Sequence, residues 1–150
     1  MWIDLLERGQ EPLRHHAAAL LRDRRDVDDV VRACLSRALE RMETLGPQTD
    51  VRTWLLSILH GLLASRSWQA RMRRASPPDG QGACGGQLSD FHRLPYPQRA
   101  VLLLVTIEDL PYSDVAQVLG IPVAQVMSLL TAGRERLRVL AEDAAMRRAR

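Results

Sequence analysis

Apolar residues recur every three or four positions along most of the chain, and no segment alternates apolar and polar residues in the manner of a strand. That spacing predicts helices alone. In the first half, Leu13, Ala17, Leu20 and Leu21 mark one helix. Asp26 then offers an N-cap, with Asp28 and Asp29 in a first turn where the helix dipole favours anions. The second helix carries a continuous stripe of Val30, Val31, Cys34, Leu35, Ala38, Leu39, Met42 and Leu45, and Gly46-Pro47 stops it. Asp50 can cap a third helix, with Trp54, Leu55, Ile58 and Leu62 on its stripe and Met72 further along. The same helix ends in Arg66, Arg71, Arg73 and Arg74, cations that suit the C-terminal dipole and would also suit phosphate.

The pattern stops at 76–90, SPPDGQGACGGQLSD, where two Pro and four Gly cannot build a core. The segment divides the chain into an N-terminal domain, 1–75, and a C-terminal domain, 91–150. In the second, Pro97 sits well for the first turn of a helix through Val101, Leu104 and Val105. Pro111 opens the next, with Val115, Ala116 and Leu119 inward. Gly120 supplies a left-handed turn, and Pro122 starts a third helix with an inner stripe of Val126, Leu130, Leu137 and Leu140. Helix, short helix, Gly turn and helix in that order is the signature of a helix-turn-helix, a unit that places one helix in the DNA major groove.

Charge changes the picture by position more than by sum. All 21 basic residues are Arg, and the net charge of +3 permits a nucleic-acid partner without demanding one. Residues 1–75 hold thirteen Arg against ten acids. Residues 94–140 hold Arg99, Arg134, Arg136 and Arg138 against Glu108, Asp109, Asp114 and Glu135, and so are neutral. A neutral DNA reader binds weakly by itself, because phosphate contacts supply most of the affinity.

Other chemistry is thin. The longest unbroken apolar run, Ala100–Val105, is far too short to cross a bilayer, and no signal peptide is visible, so a cytoplasmic location is expected. Cys34 lies on a helical stripe as a small buried hydrophobe, and Cys84 sits in GACGG; a metal site would need partners at ligand spacing, and His92 is the only candidate nearby, so no metal is expected. His15, His16 and His60 lack carboxylate or Cys partners at useful spacing. No phosphate loop or nucleophile elbow appears, so neither an enzyme, a cofactor nor a small-molecule substrate is expected. Trp54 reads as core. Trp68, among Arg residues, suits either an unpaired base or the core edge.

Two blocks carry a family resemblance. DVDDVVRACLSRAL, followed by GPQTDVRTWLLSILHGLLASR, is similar to the polymerase-binding and −10-reading domain of the extracytoplasmic-function sigma factors. LPYPQRAVLLLVTIEDLPYSDVAQVLGIPVAQVMSLLTAGRERLR resembles their −35-reading domain nearly position for position. The resemblance implies an all-α fold of two small helical domains, a region-2-like bundle and a region-4-like helix-turn-helix, joined by a flexible linker. It implies core RNA polymerase, promoter DNA and an anti-sigma factor as partners. Carried onto matching positions, it assigns Asp28, Asp29 and Arg32 to the polymerase. It assigns His60, Arg66, Trp68, Arg71, Arg73 and Arg74 to −10 DNA, and Gln125, Ser128, Thr131, Arg134 and Arg136 to −35 DNA.

The chain departs from the family in several places. Arg32-Ala33 stands where Gln-Glu is usual, and Gly61 and Ser65 where Asn and Asp are frequent. In the recognition helix, Met127, Leu129, Thr131 and Ala132 replace Lys, Arg, His and Arg. Each lost cation lowers affinity and flattens its salt dependence. If Met127 and Leu129 face outward they form an apolar patch on a DNA face, and such patches usually mark protein interfaces. The alternative is therefore a sigma-like interaction module that binds an anti-sigma factor rather than promoter DNA.

Overall fold

The structure, a computed structural model, describes residues 2–46, 48–74 and 90–149. Pro47, Cys84 and nearly all of the expected linker lie outside those residues. Every regular element among the described residues is helical. α1 spans Trp2–Leu20, α2 Arg24–Glu40, α3 Val51–Leu63 and α4 Arg66–Arg74, with a 3-10 turn, Met42–Thr44, after α2. α5 spans Tyr96–Thr106, α6 Tyr112–Leu119 and α7 Val123–Arg148. The chain divides into two compact units, one holding α1 to α4 and the other α5, α7 and most of α6.

In the first unit α1, α2 and α3 pack on one another around an aliphatic core. Leu13, Ala17, Leu20 and Leu21 meet Val27, Val30, Val31, Cys34 and Ala38 of α2 and Leu55, Leu56, Ile58, Leu59 and Leu63 of α3. α1 begins well before its predicted stripe and runs through Pro12, which withdraws one backbone hydrogen bond from it. The cap of α2 is Asp23, not Asp26: the Asp23 carboxylate accepts from the Arg25 amide at 2.9 Å. Asp50 caps α3 as expected, accepting from the Arg52 amide at 3.2 Å and the Thr53 hydroxyl at 2.6 Å. The α2 stripe outruns its core. The helix ends at Glu40, and Leu39 is 55% exposed. Leu35 and Leu39 line an open cleft of about 350 Å³ with Ile3, Leu6, Glu7 and Gln10.

The third predicted helix is two. α3 stops at Leu63, and α4 restarts at Arg66. The Gln69 side-chain amide donates to the Leu63 carbonyl at 2.9 Å, satisfying one of the acceptors that the end of α3 leaves open. The break turns the Arg-rich helix so that Trp68 enters the core.

In the second unit Pro95 is the N-cap of α5, with Pro97 in its first turn. The Arg99 guanidinium donates to the carbonyls of His92 and Leu94 at 3.1 and 3.0 Å, tying the preceding turn to the helix. α6 ends on Gly120, whose φ of +67° only glycine adopts cheaply, and the Ile121 amide returns to the Ala116 carbonyl at 3.1 Å. That cap sets α6 and α7 at 99°, the crossing of a helix-turn-helix. α7 packs on α5 through Val126, Leu130, Gly133 and Leu140. At Gly133 the helices come so close that a Cβ would lie 2.9 Å from Leu102 Cδ1.

Candidate nucleic-acid interface

The first unit concentrates its charge where α2 and α4 meet. Asp26 and Asp29 lie three residues apart and so share one face of α2. Arg71 of α4 reaches both: its Nη2 donates to Asp26 Oδ1 at 2.5 Å and to Asp29 Oδ2 at 2.7 Å. The guanidinium also covers the Trp68 ring, 4.1 Å from its centroid. The hydrogen bond to Asp29 is the main cause that holds the Arg71 pKa above its ordinary value; desolvation opposes it, and the hydrogen bond to Asp26 and the charges of both carboxylates add to it. Asp26 is buried, so this contact gives a desolvated carboxylate the partner it needs. Asp28, the third acid of the group, pairs with Arg14 of α1.

Several expected DNA contacts change role here. Arg71 is engaged with carboxylates of its own unit rather than turned to a phosphate. Trp68 is buried beneath it, which resolves the open choice toward the core edge. His60 is also misplaced as a DNA contact, because it is 2% exposed with its Nε2 2.8 Å from Nε2 of the equally buried His16. One ring donates and the other accepts. Burial first, and the neighbouring His16 second, hold His60 well below the ordinary imidazole range. Arg66, Arg73 and Arg74 remain exposed along α4, and Arg32 is exposed on α2. Cys34 is buried, donates to the Leu55 carbonyl at 3.5 Å and is pushed up to about 12 by desolvation, so it is an inert core thiol.

The second unit presents a different surface. No charged residue occurs between Ile121 and Gly133. Gln125, Ser128 and Thr131 are all exposed on α7. The Ser128 hydroxyl donates to the Ala124 carbonyl at 3.1 Å and the Thr131 hydroxyl to the Met127 carbonyl at 3.0 Å, so both turn back onto their own helix. The apolar positions divide. Met127 is 52% exposed and Val123 42%, whereas Leu129 is half-buried. Arg134 and Arg136 are exposed, and Arg138 is held between Glu135 and Glu142, each at 2.5 Å.

Sequence reasoning missed two of these arrangements, the Arg71 clamp and the His16–His60 pair. The only local signal was the three-residue spacing of Asp26 and Asp29, which puts two acids on one face and calls for a cation opposite. Among the described residues no three His, Cys, Asp or Glu side chains gather as a metal site, and no single helix is long and apolar enough to cross a membrane.

Known proteins share this arrangement. Residues 91–137 match the family described as Sigma-70, region 4, and residues 11–60 the family described as Sigma2 domain of PhyR. The ECF RNA polymerase sigma factor EcfG of Rhodopseudomonas palustris is 29% identical over 142 aligned positions, covering 85% of this chain and 78% of that protein. The ECF RNA polymerase sigma factor SigC of Mycobacterium tuberculosis is 29% identical over 141, covering 83% and 75%. In fold, the chain is similar to the sigma factor RpoE of Bartonella quintana, solved with the anti-sigma factor NepR, at a TM-score of 0.77 and 21% identity, over 94% of this chain and 96% of that one. CnrH, solved with the cytosolic domain of CnrY, gives a TM-score of 0.68 at 23% identity over 93% and 86%. A region-2-type bundle followed by a region-4 helix-turn-helix, in a chain matched along most of its length by sigma factors, places the protein: it belongs to the extracytoplasmic-function family of RNA polymerase sigma factors.

Proposed function

We propose that the chain binds core RNA polymerase and directs it to promoter DNA, lending recognition and strand opening without catalysing a reaction of its own. The observation that carries this reading is the pairing, on one chain, of an Arg-bearing helical bundle with a helix-turn-helix, matched in that order by sigma factors. In this scheme 1–75 is the polymerase and −10 domain, 91–150 the −35 domain, and 76–90 the connection. The exposed start of α2, with Asp28, Asp29 and Arg32, meets the polymerase. Asp28 and Asp29 reach it already paired with Arg14 and Arg71, so docking there exchanges ion pairs rather than creating them. Arg66, Arg73 and Arg74 face −10 DNA, and α7 meets the −35 element through its first turns, with Arg134 and Arg136 near phosphates. The site of action is the cytoplasm, where polymerase and promoter are.

An anti-sigma factor is the expected regulator, since RpoE, similar in fold, was co-crystallised with the anti-sigma factor NepR, and CnrH was solved with the cytosolic domain of CnrY. A second reading rests on one observation, the uncharged and partly apolar start of α7: the chain would sequester an anti-sigma factor and leave DNA alone. Competition with the primary sigma factor for core polymerase separates the two. Saturable, competitive binding followed by promoter-dependent transcripts is the expected result. A folded, helical protein that does not compete refutes the sigma reading and leaves the interaction module.

A further inference from the structure

The recognition helix keeps its place in a helix-turn-helix, yet over its first turns only Gln125 offers an outward side chain of the kind that usually reads base edges by hydrogen bonding. Val123, Met127 and Thr131 follow one another at four-residue spacing, so they form one row up the exposed side of α7. Val123 and Met127 expose 42% and 52% of their surface. Thr131 belongs to the row through its methyl, because its hydroxyl is bound to the Met127 carbonyl at 3.0 Å. Ser128 next to them is likewise turned inward at 3.1 Å to the Ala124 carbonyl. What this face offers a partner is aliphatic carbon and sulfur, with Gln125 as its one outward amide.

The major groove displays one aliphatic group, the C5 methyl of thymine. We propose that the Val123–Met127–Thr131 row reads thymine methyls in the upstream promoter element, and that Met127 determines specificity there. The inference rests on the sigma reading and names what that site recognises. A protein partner fits the row less well. Three side chains in single file cannot supply the roughly 800 Å² per partner that a stable protein interface buries. The row is bounded by Ser128 and Gln125 and runs into Arg134, which is exposed beyond its last turn and suits a phosphate. α6 and α7 meet at 99°, the crossing that lays the second helix in the groove. Apolar contact also costs no buried charge, so it works without the cations that the first turns of this helix lack.

The test uses the full chain with core RNA polymerase on a promoter recovered by selection from a randomised upstream element. Each thymine of that element is replaced singly by deoxyuridine, which removes the methyl and leaves the base-pairing and hydrogen-bonding edges unchanged. One or two positions should lose about three- to five-fold in binding and initiation, the size expected for one methyl taken out of contact. Met127→Ala should remove most of that sensitivity while Gln125→Ala keeps it. Met127 is half exposed, so the variant is expected to fold, and its circular dichroism checks this. Initiation that is equal on thymine and deoxyuridine templates overturns the inference and leaves the sigma reading standing. So does a Met127→Ala protein that keeps the full methyl dependence. Failure to obtain any selected promoter overturns both.

Discussion

α4 and the start of α7 are the two surfaces assigned to DNA, and they handle charge in opposite ways. α4 carries Arg66, Arg71, Arg73 and Arg74 within nine residues, and one of these, Arg71, is turned back to Asp26 and Asp29. The turn before α7 and the start of that helix carry no charge over the thirteen residues from Ile121 to Gly133, and the Ser128 and Thr131 hydroxyls too are turned back to the helix. In α4, then, one cation is engaged by carboxylates of its own unit, while Arg66, Arg73 and Arg74 stay exposed and are the ones proposed for DNA. In α7 the first exposed cations, Arg134 and Arg136, stand past the first turns, and under the proposed reading shape and methyl contact are left in front. A count of Arg residues would offer four cations on α4; the geometry leaves three exposed and unengaged by Asp26 or Asp29.

The largest way to break this comparison is Arg71→Ala. If Arg71 serves the fold, its loss leaves Asp26 buried without a partner and uncovers Trp68, and the first unit should lose about 2–3 kcal/mol of stability. Urea unfolding followed by Trp fluorescence measures it. Arg73→Ala and Arg74→Ala should change stability by less than about 0.5 kcal/mol, since both are exposed. Equal stability of Arg71→Ala and the parent would return Arg71 to the DNA face. Next in size is the pH response of the same core. The folded chain keeps His60 neutral to well below its ordinary value, whereas the unfolded chain takes up the proton near pH 6.5. Unfolding therefore binds a proton as pH falls below that value. Stability is full above it and drops by up to about 1.4 kcal/mol per pH unit below it. His60→Gln should flatten that dependence between pH 6.5 and 5. An unchanged slope in the variant would show that other groups carry it.

What was legible in the chain was local. Gly120, Pro97, Asp50 and the inner stripe of α7 stand where their own conformational and capping preferences put them. What was not legible depended on distant partners. Arg71 meets Asp26 across 45 residues and His16 meets His60 across 44, and no spacing rule reaches so far. Asp23 and Asp26 carry the same capping side chain three residues apart. The choice between them fell to backbone geometry: Asp23 has the extended conformation of a cap, and Asp26 is drawn into the first turn by Arg71. The stripe through Leu39 continued the helical period past the point where α1 and α3 cover it. Periodicity identifies a face, and only packing decides how far along that face the core extends.

A smaller effect sharpens the electrostatic side of the comparison. If α4 holds the working cations, removing Arg73 and Arg74 together should lower the salt slope of promoter binding by about 1.8, two released counterions' worth, against about 0.9 for Arg134→Ala. Binding isotherms of the polymerase complex between about 50 and 200 mM salt give both numbers. Equal slopes for all variants would mean that neither helix touches phosphate.

The smallest expected effect belongs to Arg138, and it asks whether α7 holds charge in reserve. Arg138 lies one turn beyond Arg134 but is tied to Glu135 and Glu142, both at 2.5 Å, with the Glu135 hydrogen bond the main cause of its raised pKa. A guanidinium flanked by two carboxylates presents no net positive charge to a phosphate, so approach to DNA there releases few counterions. Arg138→Ala should therefore change the salt slope by less than half as much as Arg134→Ala. The pairs are exposed and screened by water, so a strong phosphate contact has the means to open them. A slope change as large as that of Arg134→Ala would show that it does. The second unit would then recover on the duplex a cation that its free structure conceals, and the contrast with α4 would narrow to one of timing.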